Sequence, residues 1–404
     1  MNWTSDHSIQ YLKSNPMNKK VKIAYCIPSL YYPSGMERVL TLKANYFAEH
    51  LGYDIHIILT DGKGKEPYYK LYPSITTHQL DINYDELYGL SLPKRIHRYW
   101  SKQKLFKKRL ETCLNEIEPD ITISLLRRDI NFINKMKDKS IKLGEIHFNK
   151  SNYREFSDNC LPGIIQRAVK QYWMWQLIRQ VRQLKSFVVL SHEDAAEWTE
   201  LNNVTVIYNP LPFLPEQQSD NTPKQVIAVG RYVPQKGFDR LISAWSIVNK
   251  KHPDWILRIY GDGMREQLQN QIYELRISPS CILEHSTPDI VDKYCKSSIF
   301  VLSSRYEGFG MVIIEAMACG VPPVSFTCPC GPRDIISDGI NGLLVENGNI
   351  EGLAEKICYL IENENVRREM GRQARMDIER FRIEPIAEQW KTLFESIIEK
   401  NKDL

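Results

Sequence analysis

The chain has 404 residues with 53 Lys and Arg against 49 Asp and Glu, a net charge of +4. That length exceeds what one ordinary hydrophobic core takes up, so two domains are expected. The near balance of charge speaks against a nucleic-acid partner, and no apolar run approaches the roughly 20 residues that span a bilayer.

The first 20 residues, MNWTSDHSIQYLKSNPMNKK, are polar and lack the apolar centre of a signal peptide. VKIAYCI at 21–27 has the composition of a buried strand, and a Pro/Ser/Gly loop leads from it into the helical pattern ERVLTLKANYFAEHL. Strand, glycine loop and helix in that order open a doubly wound sheet. YDIHIILT at 53–60, PDITISLL at 119–126, IKLGEIHF at 141–148, SFVVLS at 186–191 and VTVIYN at 204–209 supply further strands, apolar enough for a parallel sheet. PLPFLPEQQSDNTPKQ then reads as a linker. The pattern restarts with VIAVG, FDRLISAWSIV, WILRIYG, MREQLQNQIYEL, CILEH, IFVLSS, a Glu-bearing helix, PPVSF and GLLVE, and residues 386–404 read as a closing helix. The fold class is therefore α/β, with two Rossmann-like β/α/β domains in tandem.

Nine cysteines, at 26, 113, 160, 281, 295, 319, 328, 330 and 358, are odd in number and form no C-x-x-C pair, which fits a reducing cytoplasm. Cys328 and Cys330 in C-P-C have no His or Cys pair nearby and read as loop cysteines, not half of a metal site.

The most informative stretch is SSRYEGFGMVIIEAMACGVPPVSFTCPCGPRDIISDGINGLLV, from Ser303 to Val345. Gly308 and Gly310 let the backbone around Phe309 approach a ligand, and a helix beginning near Met311 carries Glu315 about one turn in. With Glu307 this makes an E-x7-E pair. A second block, VIAVGRYVPQKGFDRLISAW at 226–245, places Arg231 and Lys236 after a strand, where a sheet of this kind binds ligands. Together with LRIYGDGMREQL, VIYNPL, VVLSHED and SGMERVL, the two blocks resemble, in order, the retaining family 4 glycosyltransferases of the GT-B fold (glycosyl transferases group 1).

The resemblance implies a GT-B fold whose two Rossmann-like β/α/β domains face a central cleft: an acceptor-binding domain at 1–212, a nucleotide-sugar-binding domain at 213–385, and a helix at 386–404 that packs back on the first domain. It implies that Arg231 and Lys236 grip the donor's diphosphate, that Glu315 binds the ribose hydroxyls, and that Glu307 lies beside the donor sugar. Whether Glu307 acts as a nucleophile or as an electrostatic and hydrogen-bonding group is open, with the second preferred. His147 resembles a histidine near the donor sugar's hydroxyls, and Gly35 a glycine turn facing the diphosphate; a structural histidine and a plain turn are the competing readings. Gly261, Asp262 and Gly263 look like the loop near the nucleotide, where Asp262 could instead cap the helix MREQL. One departure is CILEHSTPD, which has Glu284, His285 and Ser286 where family members often place a glycine.

Cleavage of a nucleotide-sugar needs positive charge where the leaving diphosphate develops, and no D-x-D motif is present, so the cations stand in for a metal and no cofactor is expected. The expected reaction moves a hexose or N-acetylhexosamine from a UDP-sugar to a saccharide or lipid-linked acceptor in cell-surface polysaccharide, lipopolysaccharide or capsule synthesis. The rival is a catalytically silent nucleotide-sugar-binding subunit. Residues 92–110 carry Lys94, Arg95, Arg98, Lys102, Lys104, Lys107, Lys108 and Arg109 without one acid. With Trp100, Trp173 and Trp175 they suggest peripheral contact with an anionic membrane, against the alternative of a solvated helix with core tryptophans.

Overall fold

Residues 20–150, 153 and 163–402 are described by the structure, a computed structural model. Residues 1–19 of the polar leader and Cys160 lie outside them. The first half runs β1 (Lys22–Ile27), α1 (Gly35–Glu49), β2 (Asp54–Leu59), β3 (Thr76–Gln79), α2 (Leu92–Ile117), β4 (Ile121–Ser124), β5 (Ile141–Glu145), α3 (Gly163–Val181), β6 (Ser186–Val189), α4 (His192–Glu197) and β7 (Val204–Val206). Its strands form a seven-stranded parallel sheet in the order β3-β2-β1-β4-β5-β6-β7.

Central position explains the strand compositions. In β1, Ala24 and Cys26 face a core with Phe106, Leu110 and Phe187, whereas Ile23, Tyr25 and Ile27 face the opposite core with Phe47 and Trp390. A strand covered on both faces must be apolar at successive positions. β3, TTHQ, is an edge strand with largely exposed side chains; its pairing with β2 comes from backbone register, which its polar sequence does not announce.

The second half runs β8 (Gln225–Val229), α5 (Phe238–Lys251), β9 (Ile256–Tyr260), α6 (Arg265–Glu274), β10 (Cys281–Glu284), α7 (Ile290–Cys295), β11 (Ile299–Leu302), α8 (Met311–Ala318), β12 (Pro323–Phe326), α9 (Pro332–Ile335), β13 (Leu343–Val345), α10 (Ile350–Glu362), α11 (Glu364–Asp377) and α12 (Ile383–Lys402). A six-stranded parallel sheet results, ordered β10-β9-β8-β11-β12-β13.

The segment read as a linker is docked. Leu211 N donates to Phe381 O at 2.6 Å, Ser219 N to Cys319 O at 2.8 Å, and Arg375 to Pro215 O at 2.9 Å. α12 returns to the first half, where Ile386, Trp390 and Phe394 pack with Phe47 and Tyr25. The Phe47 and Phe394 rings meet edge-on with centroids 5.9 Å apart.

In both sheets the strand order reverses beside the first strand, between β1 and β4 and between β8 and β11. Ligands of open α/β sheets bind outside the carboxyl ends of strands at such switch points. The functional residues are therefore sought in the loops that leave β8 and β11.

Candidate functional site

Both loops carry the expected chemistry, and they are stitched together. After β8 comes a short 3₁₀ turn, Pro234–Lys236, closed by Gly237 in the left-handed region at φ 63°. A Cβ there would stand 2.1 Å from Ser303 O, in the loop after β11, so only glycine lets the two loops approach. Ser303 Oγ donates to Lys236 O at 3.0 Å, and Gln235 Nε2 to Tyr306 O at 3.1 Å. Arg305 forks onto Asp239 at the start of α5, at 2.8 and 2.6 Å.

This scaffold brings Lys236 and Glu307 into contact. Lys236 Nζ lies 2.8 and 3.1 Å from the two carboxylate oxygens of Glu307, and Ser304 Oγ donates to Oε1 at 2.6 Å. Side-chain exposures of 15% and 7% place the pair in a partly dehydrated setting, where charge acts more strongly than in water. Arg231 is exposed, and its guanidinium has no hydrogen-bond or ion-pair partner among the described residues.

The turn between the two glutamates behaves differently at each residue. Gly310 has φ 95° and opens α8 at Met311, as expected. A Cβ on Gly308 would stand 2.8 Å from His147 O, so this loop meets the first half backbone to backbone. The Phe309 side chain faces the core. It is buried against Tyr208 and Phe381, with centroids 5.8 Å away in each case, and packs the core under the site.

Glu315 is buried, not a surface residue of its helix. Its Oε1 accepts from Arg38 of α1 at 2.9 Å, and its Oε2 from Tyr294 Oη at 3.4 Å. Burial pushes the Glu315 carboxyl above the ordinary range, against the pull of Arg38 and Tyr294. The residue assigned to ribose hydroxyls thus holds a guanidinium from the other half.

Gly35 is the first residue of α1, and nothing lies within 4 Å of a Cβ built there. Asp262 does not cap α6, whose N-cap is Met264. Its carboxylate accepts from His285 Nδ1 at 2.8 Å and from Ser286 N at 3.2 Å, binding it to the loop in which the sequence departs from the family pattern. Gly261 sits where a Cβ would strike Gly230 O at 1.9 Å, so β8 and β9 can end side by side. Glu284 pairs with Arg258.

His147 follows β5. Its Nε2 lies 3.0 Å from Oε1 of Glu145, which also holds an ion pair with Lys43 of α1. Burial would push the Glu145 carboxyl up, but Lys43 and His147 overcome it and hold the group at about 2. Sequence reading missed Lys43, Glu145, Arg38 and Tyr294. A signal existed for Lys43, which shares one face of α1 with Val39, Leu40, Ala44 and Phe47, all buried.

For metals, the described residues offer one cluster, His252, Cys358 and Glu362, with ligand atoms within 4.8 Å of one another. It joins the far end of α5 to α10, about 20 Å by helix rise from Lys236. Cys328 and Cys330 are free and buried.

The family glycosyl transferases group 1 matches residues 213–377, the stretch that carries Arg231, Lys236, Glu307 and Glu315. An uncharacterized glycosyltransferase of Haemophilus influenzae is 29% identical over 376 residues, covering 92% of this chain and 99% of that protein. A poly(ribitol-phosphate) alpha-N-acetylglucosaminyltransferase of Staphylococcus aureus is 29% identical over 307 residues, covering 73% of this chain and 60% of that one. Among solved structures, a mutant of Staphylococcus aureus TarM in complex with Fondaparinux, alpha-GlcNAc-glycerol and UDP superposes with a TM-score of 0.72 at 19% identity, covering 93% and 99% of the two chains. The two-sheet architecture is that of the GT-B glycosyltransferases.

Proposed function

We propose that this chain is a retaining, metal-independent glycosyltransferase that moves a hexose or N-acetylhexosamine from a UDP-sugar to a hydroxyl of a saccharide or lipid-linked acceptor, in the building of a cell-surface polysaccharide, lipopolysaccharide or capsule. The observation that carries the reading is the Lys236–Glu307 pair, partly buried where the loops after β8 and β11 are stitched together at the switch point. Residues 213–385 hold the donor, and residues 1–212 the acceptor. The UDP complex of TarM and the N-acetylglucosaminyl relative support the choice of donor class.

Lys236 and exposed Arg231 face the diphosphate, where negative charge grows as the bond from the anomeric carbon to phosphate oxygen breaks. The acceptor oxygen bonds to the same face of that carbon, and its proton passes to the leaving phosphate, so no protein base is required. Glu307 lies beside the sugar and stabilises the positive charge that develops there. Glu315 exchanges Arg38 for the ribose hydroxyls when the nucleotide enters.

The membrane reading has a surface to stand on. No helix among the described residues is long and apolar enough to cross a membrane. On α2, Ile96 and Trp100 are exposed among Lys94, Arg95, Arg98 and Lys104; on α3, Tyr172 and Trp175 are exposed, whereas Trp173 packs against the core. Asn131 joins the helices by contacts of 3.4 Å to Gln103 and to Gln176. Cations around aromatic tips suit an anionic leaflet.

The deciding experiment offers the purified chain a panel of UDP- and GDP-sugars and reads slow donor hydrolysis and transfer. Turnover of a UDP-sugar is expected. Nucleotide binding with no turnover of any donor would favour the silent subunit, a reading that the complete set Arg231, Lys236, Glu307 and Glu315 opposes.

A further inference from the structure

Lys43 and Glu145 form an ion pair whose side chains are each 1% exposed, at the centre of the first half. Removing two charges from water costs several kcal/mol per ion, and exchanging such a pair for apolar residues is often neutral or stabilising. The fold alone therefore gives little reason to keep it. Its surroundings give a better one. Lys43 Nζ lies 4.4 Å from the Trp390 ring of α12, so the ammonium is enclosed by a carboxylate and an aromatic face. On the other side of the carboxylate stands His147, with Nε2 3.0 Å from Glu145 Oε1. That approach is off the hydrogen-bond axis, and His147 Nε2 and Glu145 Oε2 are both buried atoms without a hydrogen-bond partner. The backbone of His147 in turn meets Gly308, next to Glu307.

We infer that Glu145, kept ionised by Lys43, is the positioning residue that fixes the ring of His147 with its proton on Nε2. A small turn of the ring lets Nε2–H donate to Glu145, giving the orphaned nitrogen a partner. Which imidazole nitrogen carries the proton is set by the hydrogen bonds the ring makes, and a carboxylate, which can only accept, holds the proton on the nitrogen that faces it. Nδ1, which has no partner among the described residues, is then a fixed acceptor suited to a hydroxyl of the donor sugar. The inference rests on the glycosyltransferase reading for its substrate, but not for the tautomer itself.

Nitrogen-15 NMR of histidine-labelled protein, with the His147 signals identified by their loss in His147→Ala, should show neutral His147 protonated at Nε2. A wild-type ring protonated at Nδ1 overturns the inference without any variant having to fold. In the double variant Lys43→Met/Glu145→Leu, which removes both charges together, the ring should become a mixture of tautomers. Transfer turnover should fall about ten- to a hundredfold, the scale on which orienting groups act on the residues they hold. UDP affinity should stay within about twofold. Since Glu145 acts through His147, the same double change in a His147→Ala background should cost less than about twofold more. An unchanged tautomer, unchanged turnover, or an equal loss in both backgrounds overturns the inference. Absence of any transfer by wild-type protein would instead refute the glycosyltransferase reading, and the NMR result would still decide the role of Glu145.

Discussion

Lys236→Ala and Arg231→Ala should lose the same chemistry but not the same stability. Lys236 contributes two charge-assisted contacts to Glu307, at 2.8 and 3.1 Å, in a site where neither side chain is more than 15% exposed. Its removal leaves the Glu307 carboxylate with Ser304 as its remaining side-chain partner. Breaking a fully buried pair from one side costs about 3–5 kcal/mol; with Lys236 partly wet, about 2–3 kcal/mol of unfolding free energy is expected. Arg231 is exposed and has no partner among the described residues, so its loss should change stability by no more than about 0.5 kcal/mol. Turnover should fall in both by about two to three orders of magnitude, equivalent to about 2.7–4 kcal/mol, because each variant lacks a cation aimed at the developing phosphate charge. Urea unfolding and steady-state transfer with the best donor of the panel measure the two quantities on the same preparations. Near-normal turnover in both variants would refute the diphosphate assignment. Wild-type stability in Lys236→Ala would refute the premise that Glu307 depends on this cation.

Glu315→Ala should weaken UDP binding by about 1–3 kcal/mol, whereas Glu307→Gln should leave UDP affinity intact and slow transfer; calorimetry beside rates separates them, and equal losses of UDP binding would end the division of labour. Activity should survive EDTA, because Arg231 and Lys236 supply the positive charge; a strict need for Mg²⁺ or Mn²⁺ would contradict this. Association with anionic vesicles should weaken with salt and with charge reversal at Lys104, Lys107 and Lys108, and salt-insensitive or absent binding would return α2 to the status of a solvated helix. Burial pushes Asp129 up to about 6 from its ordinary 3.8, so its contribution to stability is present below about pH 3.8 and lost as pH rises through about 6. Asp129→Asn, which does not titrate, should therefore gain on the order of 1–3 kcal/mol relative to wild type between pH 4 and pH 8 in urea unfolding; a constant difference would show that the group is not so perturbed.

The parallel strands were legible because burial on both faces leaves runs such as KIAYCI and IFVL with no polar alternation. β3 was not, since an edge strand held by backbone pairing need not be apolar. Lys236 and Glu307 were found separately as motif residues. Their contact, across 71 positions, depends on β8 and β11 being neighbours in space although two strands separate them in sequence. The same limit hid Arg38 on Glu315 and Lys43 on Glu145, partners 277 and 102 positions apart. The inward turn of the Phe309 ring was hidden for a different reason. Its glycine neighbours signal close approach of backbone, but Gly308 approaches the carbonyl of His147, and the ring between the glycines turns inward.

That contact at Gly308 bears on how the two halves can be exchanged between relatives. Where side chains form a seam, a graft can be repaired by substituting them; where one main chain rests on another, the fit is set by the course of the loops themselves. A chimaera joining residues 1–212 to a foreign donor half would therefore succeed or fail on the shape of its E-G-F-G turn against the His147 carbonyl. Redesign of the surrounding surface would not rescue a turn that stands too far forward.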